Sequence, residues 1–394
     1  MDFFHAEPDL TNFTEIERLK FVDYDDNYCV LYDFWNSTTS TDRITLVLHS
    51  SISFFHHLVY QIKYWSGPIS IAVPLPRPTK ISCHKYNFLN NPNGCGSFNG
   101  IDMEIFNYFE SFRTHHDISK ISMHFLYEKG IDGKCYDLLK PKLKADTNII
   151  IEMKNYKDVT YFESLYPINV ARNIARIGKK TNLFLSGDVE NYTSENFEAK
   201  LRKAGAELII NSTKNVVLVH RRFETADDIE IPHTKQQLHK LFKSNKVQVF
   251  HESFYKEGHY IPGLDEWFNV RENHTETSVF RTMKYNESPN WEPQFVGDSN
   301  VPLYDERFAY RSKSATHLSH ILCYQDYTFY IMNDVFTVHK GIKLKYKPEE
   351  QIIASRLNGV RKNMIRDMFK SFNDDLGRKY PKLKEFCKPL TPQL

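Results

Sequence analysis

The chain has 394 residues, 41% hydrophobic and 25% charged, a composition that excludes a mainly disordered polypeptide and supplies a large folded core. Lys and Arg number 51 against 49 Asp and Glu, a formal net charge of +2, so no overall field directs the protein to nucleic acid. No run reaches the about 18 apolar residues that cross a bilayer, and the opening MDFFHAEPDL lacks the basic-then-apolar layout of a signal peptide.

Residues 1–42 mix polar and aromatic side chains without a period and read as a lead-in or stem. Order is expected from Arg43. Ile44 to Leu48 is an apolar run ending in His49-Ser50, Ile52, Phe55, Leu58, Val59 and Ile62 recur at helical spacing, and Ile69 to Val73 follow Gly67-Pro68. Strand, helix, strand predicts a parallel pair with a right-handed crossover. Arg77 to Asn99, rich in Pro, Asn and Gly, reads as a loop; a helix through Ile105 to Phe112 and strands at Ile121 to Leu126 and Asn148 to Ile151 come next. Tyr166 to Arg176, YPINVARNIAR, reads as a helix with Pro167 in its first turn, where a missing amide costs nothing. Asn169, Arg172, Asn173 and Arg176 share one face, and Val170, Ile174 and Ile177 another. A solvated basic face is the ordinary reading, but the helix feeds the next strand directly, which would let the same face line a cleft.

That strand, Leu183 to Leu185, ends in Asp188-Val189-Glu190. The C-terminal end of a strand is where open α/β sheets bind ligands, and alternation along an extended chain puts both carboxylates on one side. There they repel unless a cation or hydrogen-bond donors hold them. Further on come a helix at Ser194 to Lys203, apolar runs at Leu208 to Ile210 and Val216 to Val219, and the helical PHTKQQLHKLF. Phe336 to Gly341 is a strand end that delivers His339 before a glycine. Leu357, Val360, Met364, Met368 and Phe372 then predict one closing amphipathic helix. The alternation of strands and helices argues for one large α/β domain around a single cleft. Asp188, Glu190 and His339 make an O, O, N set, which suits Mn²⁺ or Mg²⁺ completed by phosphate oxygens better than structural zinc. A histidine at a strand end also serves structural roles.

RITLVLHSSISFFHHLVYQIKYWSGPISIAV, YPINVARNIAR, LFLSGDVENYTSE, WEPQFVGDSNVPLYDERF and FTVHKG, in this order and spacing, resemble the family 49 glycosyltransferases, a family that includes glucuronyltransferases. The resemblance implies a GT-A type nucleotide-sugar-binding fold, with a Rossmann-like mixed sheet flanked by helices, over residues 43–380, leaving 381–394 as a tail. It implies a UDP-sugar donor, a divalent metal, inversion at the anomeric carbon, a glycan or glycoprotein acceptor, and a type II membrane protein of the Golgi, whose transmembrane segment this chain would lack. A homo-oligomer is among the partners entertained. Asp188 and Glu190 fall on the family's DxD positions, with Glu in place of the usual second Asp, and His339 on the His of V-H-K-G as third metal ligand. Arg172 and Asn173 match the donor side, where Asn169 and His49 are grouped with them. The Glu190 departure keeps open an alternative, a catalytically silent member that binds a glycan or a partner.

An inverting transfer needs a base that is not a metal ligand. Asp305 and Glu306 in LYDERF resemble the acceptor-side acidic motif of many GT-A enzymes; Asp305 is favoured and Asp298 stands third. Only one of the adjacent pair is expected to face the cleft, the other pairing with Arg307 or capping a helix. The lumenal address implied by the resemblance, with an even count of six cysteines, predicts oxidation, Cys83 with Cys95 being the first pairing to expect. Six N-x-S/T sequons, at Asn12, Asn36, Asn191, Asn211, Asn273 and Asn286, lean the same way.

Overall fold

A computed structural model describes residues 16–83, 93–98, 102–141, 153, 166–287, 290–346, 348–359 and 361–392. In chain order the strands and helices begin with β1 (Ile16–Leu19), β2 (Val22–Asp23), β3 (Tyr28–Trp35), β4 (Ile44–His49), α1 (Leu58–Tyr64) and β5 (Ile69–Pro74). β6 (Thr79–Ile81), β7 (Cys95–Ser97), α2 (Asp102–His115), β8 (Ile121–Glu128), β9 (Asp137–Pro141), α3 (Ile168–Ile177) and β10 (Leu183–Ser186) follow. Next come β11 (Asn191–Thr193), α4 (Phe197–Gly205), β12 (Val216–Thr225), α5 (Lys235–Lys243), β13 (Val247–Val249), α6 (Lys256–His259) and α7 (Leu264–Asn269). The chain closes with β14 (Val279–Met283), β15 (Phe295–Gly297), α8 (Thr316–Tyr324), β16 (Thr328–Lys340), α9 (Pro348–Asn358) and α10 (Lys362–Lys379).

One large mixed sheet runs β11-β16-β12-β15-β10-β4-β5-β8-β3-β2, with β13 beside β12 and β14 beside β16. Its centre, β10-β4-β5-β8, is parallel, and the expected β4–β5 pair is in register from Leu46 opposite Ile69. Alternation sorts the side chains of these strands onto two faces. Ile44, Leu46 and Leu48, Ile69, Ile71 and Val73, and Leu183 and Leu185 join a core with α1, α2 and α4. Val47, Ala72, Leu126 and Phe184 turn the other way, onto a core with α3, α8 and α10. Helices therefore cover both faces, the α/β layout expected of a GT-A type fold.

Several expectations change. Order precedes Arg43: β3 pairs with β8 in the main sheet and Cys29 is joined to Cys135, so residues 16–42 are not a loose lead-in. Within the expected tail, residues 381–392 are anchored by Cys323–Cys387 and by Asn373, which exchanges hydrogen bonds with the Leu390 backbone. Leu208 to Ile210 belong to a widened helical turn after α4. The closing helix is two, α9 and α10, because Asn358-Gly359 ends the first, as a glycine past a helix end does. Within the Arg77 to Asn99 loop, β6 and β7 form a small second sheet with β1 and β9, and Cys83 pairs with Cys95 as expected. The strand expected at Asn148 to Ile151 lies outside the described residues. None of the helices among the described residues is long and apolar enough to cross a membrane.

Candidate active site

The sheet order sets the place. β4, β5 and β8 step one way across the sheet, while β10 lies on the opposite side of β4. The crevice beyond the carboxyl ends of β4 and β10 is therefore a topological switch point, where ligands bind open α/β sheets. β4 delivers His49 to it. Ser186 of β10 pairs with Val47, and this register carries Asp188 level with His49, Oδ1 lying 3.5 Å from Nε2. The chain then turns: the Asn191 amide donates to the Asp188 carbonyl at 3.0 Å, and Asn191 Nδ2 to Asp188 Oδ2 at 3.1 Å. Asp188-Val189-Glu190 is thus a turn with Val189 buried in the core, not the extended segment expected from alternation. Gln61 of α1, fully buried, donates to the Val189 and Asn191 carbonyls at 2.9 and 2.8 Å, clamping the backbone on either side of Glu190.

Asp188 keeps 29% side-chain exposure and meets two guanidinium groups, Arg172 at 3.5 Å and Arg222 at 3.4 Å. Gln294 Nε2 stands 3.5 Å from its Oδ2. Desolvation by the surrounding protein would raise its pKa, but the His49 contact and the two arginine charges outweigh it and hold the carboxyl well below the usual carboxylate range. Burial conversely pushes His49 down; its Nδ1 pairs with the Tyr166 hydroxyl at 3.0 Å. Arg222 lies buried with its guanidinium 3.9 Å from the centroid of the Phe250 ring. Glu190 is close enough that its charge, after the larger effect of burial, helps raise the hydroxyl pKa values of Tyr166, Tyr192 and Tyr310.

His339 ends β16, opposite Asn191 on one side and Glu224 on the other. Its Nδ1 donates to the Gly341 carbonyl at 3.1 Å, across a turn that needs φ +96° at Gly341, a conformation that favours glycine. Backbone register thus gathers Asp188, Glu190 and His339 at one end of the sheet. Among the described residues their ligand atoms do not all come within 4.8 Å of one another; the set that does is Asp23, Cys29 and Cys135, whose two sulfurs form a disulfide.

The polar face of α3 is buried, not solvated. Asn169 Nδ2 donates to the Asp305 and Phe308 carbonyls, Asn173 Nδ2 to the Tyr304 carbonyl and Glu306 Oε1, and Arg176 to the Val301 and Pro302 carbonyls. Asn169, Asn173 and Arg176 therefore staple residues 301–308 to α3. Of the four, Arg172 contacts both this segment's continuation, at the Ser314 carbonyl, and Asp188.

That staple bears on the three acids considered for a base. The Asp305 carboxylate accepts from Arg307 Nε and Nη2, the latter at 2.6 Å, and from the Arg307 amide. Burial would raise the Asp305 pKa, and these Arg307 bonds more than offset it, so the group stays below its ordinary range. Glu306 Oε1 accepts from the Tyr24 hydroxyl at 2.5 Å and from Asn173 at 2.8 Å. Asp298 belongs to the wrong end of the sheet: Gly297 pairs with Phe184, so Asp298 sits beside the start of β10, about 15 Å from the Asp188 end at about 3.3 Å per residue. It closes a local turn with Asn300.

Sequence reasoning missed Arg222, Gln61, Gln294 and Glu292. Arg222 had a readable signal, since Val216 to Val219 continues into His220-Arg221-Arg222 with no turn residue, and all of β12 is buried. Glu292 and Gln294 lie two positions apart in the irregular stretch that leads into β15. Glu292 accepts from the Thr316 hydroxyl, and its charge is felt at Arg222 and Lys313.

Comparison with known proteins gives three findings. Residues 43–381 match the family model described as glycosyl-transferase for dystroglycan. Beta-1,4-glucuronyltransferase 1 of Danio rerio is 24% identical over 361 residues, 88% of this chain and 76% of the relative, and the xylosyl- and glucuronyltransferase LARGE2 of Mus musculus is 26% identical over 60% of this chain and 33% of its own length. Among solved structures, GalNAc-T7 with UDP, GalNAc and Mn2+ aligns with a TM-score of 0.38 at 9% identity, over 87% of this chain and 53% of that one.

Proposed function

The chain belongs to the family of glycosyl-transferases for dystroglycan, and from that premise we propose that it transfers a sugar, glucuronic acid first among the candidates, from a UDP-sugar to a glycan acceptor with inversion, in the Golgi lumen. The observation that carries this reading is Asp188 at the switch point, held ionised between Arg172 and Arg222. A carboxylate for a cation and two guanidinium groups for phosphate oxygens are what a nucleoside diphosphate requires.

By donor chemistry, two carboxylates and an imidazole, Asp188, Glu190 and His339 would hold a hard divalent cation, Mn²⁺ or Mg²⁺, once their side chains draw together around it. When bound, such an ion neutralises negative charge on the departing diphosphate. The residues of the chain do the rest. Arg172 and Arg222 bind phosphate oxygens, Gln61 fixes the turn that carries Glu190, and His49, itself paired with Tyr166, orients Asp188. The base is placed at Glu292, whose charge reaches Arg222 beside Asp188, ahead of Asp305, which is paired with the Arg307 guanidinium, and Glu306, which is shared by Tyr24 and Asn173. Glu292 would accept the proton of the acceptor hydroxyl as that oxygen attacks the anomeric carbon.

A panel of UDP-sugars incubated with the protein and Mn²⁺ tests the proposal. One donor should be hydrolysed or transferred, and Asp188→Ala should abolish this. UDP binding without turnover of any donor would support a silent, ligand-binding member instead.

A further inference from the structure

The six sequons are not used by the donor site, and the fold sorts them. Asn191 is buried, and its Nδ2 is bonded to the Asp188 carboxylate. A branched sugar on that nitrogen has no room in the folded chain. Asn12 lies outside the described residues, as does the Ser288 that completes the sequon of Asn286. Asn36 and Asn211 are exposed; the Thr38 hydroxyl that completes the first of these sequons donates to the Ser119 carbonyl at 3.3 Å.

Asn273 differs from all of these. It is exposed in the segment between α7 and β14. Its Oδ1 accepts from the Thr275 amide at 2.9 Å, from the Thr275 hydroxyl at 3.1 Å and from the Glu276 amide at 3.1 Å. Three donors on Oδ1 fix the carboxamide, and Nδ2 has no hydrogen bond among the described residues. The hydroxyl that defines the sequon is thus already on the asparagine's own amide. The segment is anchored from both sides, by Asn196 Nδ2 on the His274 carbonyl and by Lys203 on Glu276, and residues 273–276 are exposed.

We propose that Asn273 carries an N-linked glycan in the mature protein and that Asn191 does not, an inference that rests on the lumenal location proposed above. In the transfer, Asn273 Nδ2 forms a bond to C1 of the first sugar of a lipid-pyrophosphate-linked oligosaccharide. The C1–oxygen bond breaks, the lipid pyrophosphate leaves with the bonding electrons, and one amide proton is released. The three disulfides, at Cys29–Cys135, Cys83–Cys95 and Cys323–Cys387, agree with an oxidising compartment where that donor is met. A glycan is bulky and solubilising, and surface loops are where a folded protein tolerates one.

The test is production of the chain in animal cells behind a cleavable secretion signal. The secreted protein is treated with peptide N-glycosidase in heavy-oxygen water and each sequon is mapped by mass spectrometry. Conversion of Asn273 to labelled Asp in most molecules, with Asn191 unconverted, is expected, and both Asn273→Gln and Thr275→Ala should remove one glycan's worth of electrophoretic retardation. An unconverted Asn273 in secreted protein, or a converted Asn191 in folded protein, overturns the proposal. UDP-sugar turnover measured on the same material separates the two readings: an occupied Asn273 without turnover supports this site and leaves the enzyme reading to fall alone, and turnover with a bare Asn273 does the reverse.

Discussion

Asp188 meets two guanidinium groups and an imidazole before any ligand arrives, so its neighbours decide how it behaves. Removing Arg222 takes away one of the charges that hold the carboxyl ionised, and exposes the Phe250 ring on which the guanidinium lies. Arg222→Ala should weaken UDP binding by the order of 2 kcal/mol, about the strength of a charge-assisted hydrogen bond, measured by calorimetry; unchanged affinity would remove Arg222 from the phosphate site. The base assignment gives a sharper contrast. A general base contributes about 10²- to 10⁴-fold to rate, so Glu292→Gln should cut turnover by that much with UDP affinity kept. Asp305→Asn should leave turnover near normal, because its carboxylate is already spent on Arg307. The opposite pattern in single-turnover rates would return the base to Asp305. Gln61 acts through the turn and not on substrate: Gln61→Leu leaves two buried carbonyls without a donor, and should cost about 1–3 kcal/mol in urea denaturation.

Helix α3 shows what sequence could and could not tell. Its start at Pro167, its apolar face and its place before β10 were legible, because helix period and proline geometry are local properties. The fate of its polar face was not. Asn169, Asn173 and Arg176 look solvated by spacing alone, and only the arrival of residues 301–308, more than a hundred positions away, makes them buried staples. The same non-local effect gives Glu306 its partners Tyr24 and Asn173 and brings Arg222 to Asp188, whereas Asp305 is engaged locally by Arg307. The strand ends at His49, Asp188 and His339 were legible, since each stops an apolar run. The turn at Asp188 was not, because Gln61 and Asn191 set it. Replacing Asn169 by Leu should destabilise the fold by about 1–3 kcal/mol, and should loosen the 301–308 segment as read by hydrogen exchange. Protection there equal to the parent protein's would mean the staple is not what holds it. Gly178, at the end of the helix, carries no side chain because a Cβ would come 2.1 Å from His124 Nε2.

The molecule as a whole carries a pH signature. Burial pushes His124, His317 and His320 down to about 4 and His220 to about 3. His317 accepts from the Asp305 amide and donates to the Lys313 carbonyl, an arrangement only the neutral ring can make. An unfolded histidine titrates near about 6.5, so below that pH the unfolded chain binds protons that the folded chain refuses, and stability falls. It is full above about pH 6.5 and is lost progressively toward pH 4, each tenfold loss of proton affinity on folding being worth about 1.4 kcal/mol. The depressed Asp188 acts in the same direction at lower pH. Urea midpoints should therefore drop between pH 7 and pH 5; a flat or rising profile would show that these rings are not held neutral. On the reading proposed above, the crevice at the ends of β4 and β10 is a metal-dependent UDP-sugar site. Calorimetric titration of UDP into the protein, with and without Mn²⁺, and into Asp188→Ala, tests it most directly. Tight binding that requires the ion and disappears in the variant is expected, and equal affinity under all three conditions would overturn the assignment.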